Sequence, residues 1–106
     1  MRRKESYLVQ ILLPLQDNAG KRFPWKLYEN VKQELTENFK GLTAYMRSPA
    51  EGMWKPGKET RVEDIVVFEA MTSSLNKEWW RSYRKRLEQM FRQESIVVRA
   101  QKTEVL

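Results

Sequence analysis

Trp54, together with Tyr45, Arg47, Arg61 and Glu69, forms a grouping whose residue types could recognise a ligand. Two arginines can clamp a carboxylate or a phosphate through paired N–H donors, and a tryptophan ring can lie over a guanidinium as a lid. The segment around it, Ser48-Pro-Ala-Glu-Gly-Met-Trp-Lys-Pro-Gly-Lys-Glu-Thr60, is rich in proline and glycine and reads as a loop. It is longer than most hairpin connections, and such loops tend to be functional or disordered. Met53 and Trp54 are costly to leave in water. Either Trp54 packs onto the sheet edge and anchors its own loop, or it covers a small anion; anchoring is the simpler account. Glu69 interrupts an apolar strand in phase with Ile65, Val67 and Met71. On a buried face it would need an arginine partner, and on a solvated face it carries no meaning.

Most other chemistry is excluded by what is missing. The chain has no cysteine and no histidine. Thiol catalysis, disulfides, zinc–thiolate and iron–sulfur sites fall away, as do the commonest general base and metal ligand. Glu63 and Asp64 are neighbours on a strand and point to opposite faces, so they cannot readily share a metal or a proton. There is no phosphate-cradling glycine motif, no nucleophile elbow, and no base to activate a serine. The residues imply no cofactor.

The net charge of +6 is spread along the chain, with +1 in residues 1–20, +3 in 21–60 and +2 in 61–106. A basic domain can bind nucleic acid by releasing counterions. Here the bases alternate with acids, so the excess reads as solvated surface. Any nucleic-acid binding should be weak and nonspecific. On the second helix, positions 77, 81, 84, 88 and 92 share one face; its single acid, Glu88, can pair with Arg84 or Arg92.

The elements that must position these residues follow from the hydropathy pattern. Tyr7–Leu13 is a strand apolar on both faces, with Tyr7, Val9, Ile11 and Leu13 on one and Leu8 and Leu12 on the other. Asp17-Asn18 and Gly20 give a turn. A helix starts near Pro24, with Tyr28, Val31, Leu35 and Phe39 as its apolar stripe, and Lys40-Gly41 ends it. Leu42–Arg47 and Val62–Met71 are strands flanking the long loop. Asn76 caps a second helix whose stripe is Trp80, Tyr83, Leu87 and Phe91, and Ser95–Gln101 is a last strand that the Val105-Leu106 tail could extend.

The order βαββαβ predicts an α+β, ferredoxin-like sandwich in 106 residues and a single domain, with two helices on one face of a four-stranded antiparallel sheet. An internal echo supports it: Trp25-x-x-Tyr28 with Leu35-x-x-x-Phe39 parallels Trp80-x-x-Tyr83 with Leu87-x-x-x-Phe91. The wider gap in the first copy predicts a first helix about one turn longer. The third strand contains three acids and a single aromatic, a poor platform for stacked bases, which argues against an RNA-recognition motif.

Gly41-Leu42-Thr43, Gly52-Met53-Trp54, Glu63-Asp64 and the run from Tyr83 to Ile96 carry a resemblance between residues 39–99 and a bacterial family of small ferredoxin-like proteins of unknown function. That resemblance implies no activity. It does imply that Trp54 and the Gln93-Glu94-Ser95 turn belong to the pattern of the fold. More loosely, the chain resembles the dimeric α+β barrels, in which two sheets pack face to face.

Because helices cover one sheet face only, an apolar second face predicts a homodimer formed through the sheet. The leading expectation is therefore a homodimeric domain without recognisable catalytic machinery. The alternative is a small enzyme of dimeric α+β-barrel type that binds an anionic organic substrate near Trp54. Gln10 and Pro14 interrupt the N-terminal apolar run, and no stretch reaches the roughly 18 apolar residues of a membrane span, so a cytoplasmic protein with no membrane partner is expected.

Overall fold

A computed structural model describes residues 4–39, 41–47 and 65–106, with the side chains of Lys4, Glu5 and 44–47 left out of the description. The chain runs β1 (Lys4–Pro14), α1 (Trp25–Asn38), β2 (Thr43–Arg47), β3 (Ile65–Thr72), α2 (Lys77–Met90) and β4 (Val97–Val105). The strands form one antiparallel sheet in the order β2-β3-β1-β4. This is the split-βαβ, ferredoxin-like order, with β1 at the centre beside β3 and β4.

One face of the sheet and both helices share a single core. Val9, Ile11 and Leu13 of β1 stand opposite Ala70, Phe68 and Val66 of β3, and all six are buried. Tyr28, Val31 and Leu35 from α1 and Trp80, Tyr83 and Leu87 from α2 close over them. Aromatic contacts fix the helices antiparallel. At one end Phe91 meets Phe23 edge-on at 5.1 Å and Tyr28 at 5.3 Å. At the other, Phe39 stacks on Trp80 at 5.0 Å and meets Trp79 at 5.2 Å. A salt bridge of 2.7 Å between Arg86 and Glu34 joins the outer surfaces of the helices.

The ends of the elements are made by local chemistry. The Asp17 carboxylate accepts from the N–H groups of Ala19 and Lys21, and Gly20 takes φ 85°, closing the turn after β1. Those bonds hold the Asp17 pKa below the usual carboxylate value. The Asn76 side chain accepts from the Trp79 N–H and starts α2. Gly41 follows α1 at φ 74°, a conformation open to glycine at little cost.

Several expectations need correction. Both helices have 14 residues, so α1 is not the longer. Trp25 opens α1 at its first position, whereas Trp80 sits one turn inside α2; the extra spacing is taken up there. In consequence Trp25 is 62% exposed and Trp80 only 6%. Trp25 holds its place through Glu29, to which its indole N–H donates at 3.0 Å. Pro24 precedes the helix as its N-cap residue instead of lying within the first turn. β1 and β4 are longer than the pattern suggested, because they pair with each other from Lys4–Val105 to Leu12–Val97. Of the two partners open to Glu88, Arg84 lies 3.7 Å away, while Arg92, past the end of α2 at φ 50°, pairs with Asp17 at 3.6 Å.

Candidate ligand-binding face

The second face of the sheet is built in rows by the register. One row runs Thr43, Glu69, Gln10, Arg99 across β2, β3, β1 and β4. The next runs Tyr45, Val67, Leu12, Val97, and on the other side Met71, Leu8 and Gln101 align. A polar stripe therefore crosses an otherwise largely apolar surface.

Within the stripe, the Arg99 Nε–H donates to Gln10 Oε1 at 2.8 Å, and Gln10 Nε2 donates to Glu69 Oε2 at 2.6 Å. The arginine has only donors and the carboxylate only lone pairs, so the glutamine amide can be oriented one way only. Gln10 thereby links a cation on the edge strand to a half-buried carboxylate near the middle of the sheet. The partner of Glu69 here is the Gln10 amide, and Arg99 stands one hydrogen bond further along. Further along, the Ser6 and Thr103 hydroxyls bond at 2.8 Å.

The apolar rows are less open than the alternation of β1 and β3 implied. Leu8, Leu12, Ile65 and Met71 are half-buried and Val67 is 2% exposed, while Val97 is 50% exposed. The surface offers apolar contact beside a carboxylate, an amide and a guanidinium. Such a face suits an organic molecule with an apolar body and a few polar groups. Among the described residues no cluster of carboxylates could hold a metal ion.

The structure places the sequence candidates unevenly. By register, Tyr45 stands opposite Val67 and Arg47 opposite Ile65, two and four residues along β2 from Thr43, which faces Glu69. All three candidates thus fall at positions of the same face. Trp54 and Arg61 lie outside the described residues. Gln10 and Arg99 were missed as partners of Glu69. The visible signal was Gln10, a polar residue within an otherwise apolar strand and in phase with Leu8 and Leu12, whereas Arg99 lies in a largely polar strand and its pairing follows only from the register.

No family model matches the chain, and no curated protein matches it. Among solved structures, a phage SAM lyase in complex with S-methyl-5'-thioadenosine is similar at a TM-score of 0.61. The likeness covers 94% of this chain and 88% of that one, at 14% sequence identity. At that identity it is a likeness of fold. No helix among the described residues is long and apolar enough to cross a membrane.

Proposed function

We propose that the chain is a small homodimeric binding domain, in which two copies bring their open sheet faces together around an organic ligand. The observation behind this reading is the mixed face itself: the Arg99–Gln10–Glu69 stripe between apolar rows, left uncovered by both helices. Pairing would withdraw Val97, Leu8 and Leu12 from water at about 25 cal/mol per Å² before the costs of association. By register Tyr45 and Arg47 hold positions on this face, so an anionic group of the ligand is assigned to the β2 side of it.

A second reading is that the domain is a small enzyme, and the fold-level likeness to a SAM lyase supports it. In that reading a nucleoside thioether or its sulfonium precursor is the class of ligand to try first. An adenine ring and a thioether suit the apolar rows, and Glu69 places negative charge where a cation could be met. Calorimetry with S-methyl-5'-thioadenosine and with SAM separates the readings. Binding of either that weakens at least about tenfold in Gln10→Leu supports a ligand at this face. If neither binds, while small carboxylates or phosphates do so in a manner dependent on Arg47, the thioether class is excluded and the anion reading stands.

A further inference from the structure

The helix-covered side of the sheet has its own groove, between α2 and the edge strand β4. It encloses about 190 Å³ and is floored by Val9, Val98, Leu75 and Trp80. Its wall on α2 carries Lys77, Arg81 and Arg84, spaced by four and three residues and therefore stacked along one side of the helix. No carboxylate belongs to the lining. The fourth cation at the rim, Arg99, is already held by Gln10.

The charge of Arg84 is only partly satisfied inside the chain. Its Nε lies 3.7 Å from Glu88, too far for a hydrogen bond, and that Glu88 oxygen already accepts from the Ile96 N–H at 3.1 Å. The Arg84 Nε–H is buried and finds no acceptor among the described residues. That Nε–H is closed off from the groove, while the Arg84 side chain as a whole is 42% exposed, so an oxyanion there would be met by its terminal N–H groups. Lys77 and Arg81 are exposed and keep their N–H groups available to a ligand. This face borders an apolar-floored recess of a size that accommodates a benzene-sized body, since cavities of about 150 Å³ do so.

We infer that this groove binds a phosphate monoester with a small apolar body, the body resting on Val98 and Trp80 and the phosphate held by Arg81, Arg84 and Lys77. Three cations, of which among the described residues only Arg84 has a carboxylate nearby, Glu88 at 3.7 Å, favour a dianion over a carboxylate. The site is separate from the open sheet face, and it stands or falls independently of the reading given above.

The test uses the full chain and phenyl phosphate, with inorganic phosphate as the comparison and amide chemical shifts as the readout. Expected are shifts confined to residues 75–84 and 98–100, and an affinity for phenyl phosphate at least about fivefold above that for inorganic phosphate, the ring contributing through burial. The Arg81→Gln/Arg84→Gln variant, checked for an unchanged fold by circular dichroism, should bind at least about tenfold more weakly. Equal affinity for both phosphates, shifts scattered over all basic residues, or no saturation by about 10 mM would each overturn the assignment.

Discussion

Trp25 and Trp80 hold the same place in the sequence echo but opposite places in the fold, and truncating each should separate the two. Trp80 is 6% exposed, stacks on Phe39 at 5.0 Å, meets Trp79 at 4.8 Å and approaches Tyr83 at 6.2 Å. Trp80→Ala removes a large ring from the core and should cost about 3–5 kcal/mol, of which each lost aromatic pair supplies roughly 0.5–1.5. In a domain of this size, that lowers Tm by roughly 12–30 °C. Trp25 is 62% exposed, with one aromatic neighbour, Tyr28 at 5.6 Å, and one solvent-exposed hydrogen bond to Glu29. Trp25→Ala should cost about 1 kcal/mol or less. Urea unfolding followed by far-ultraviolet circular dichroism measures both. Equal costs for the two variants would refute the placement of α1 against the core.

Other outcomes follow from single groups. The Tyr28 hydroxyl donates to the Pro14 carbonyl, whereas the Tyr83 hydroxyl is buried without a partner among the described residues. Tyr28→Phe should therefore cost about 1 kcal/mol, and Tyr83→Phe should be neutral or stabilising in the same unfolding assay. Burial pushes the Tyr28 pKa from 10.0 up to about 12 and raises that of Tyr83 further. The folded chain thus keeps these protons where the unfolded chain loses them; the contribution of the two tyrosines to stability should be constant below pH 10.0 and fall from there through about 12. Gly41→Ala should destabilise by about 1 kcal/mol through its φ of 74° alone, because no atom stands where the new methyl would go.

The element order was legible because each segment shows one clear period: alternate burial along β1, and Tyr28, Val31 and Leu35 at helical spacing. Asn76 and Gly41 were legible for the same reason, since a cap and a left-handed position each demand particular residue types. Helix length was not legible from the echo, because matching side chains can enter two helices one turn apart, as Trp25 and Trp80 do. The Arg99–Gln10–Glu69 stripe was hidden for a deeper reason. Residues 89 and 59 positions apart become neighbours only once the register of β4 and β3 on β1 is known. A one-residue slip would send each of them to the other face. The resemblance to a bacterial family placed Trp54 within the pattern of the fold, and Trp54 lies outside the described residues.

The central claim is that the open face of the sheet closes against a second copy of the chain. Light scattering coupled to gel filtration at micromolar concentration tests it directly. A homodimer gives twice the 12.8 kDa mass of one chain, and should return to that single mass when Leu12→Arg places a charge in the apolar row. A wild-type mass of one chain across the micromolar range would contradict it.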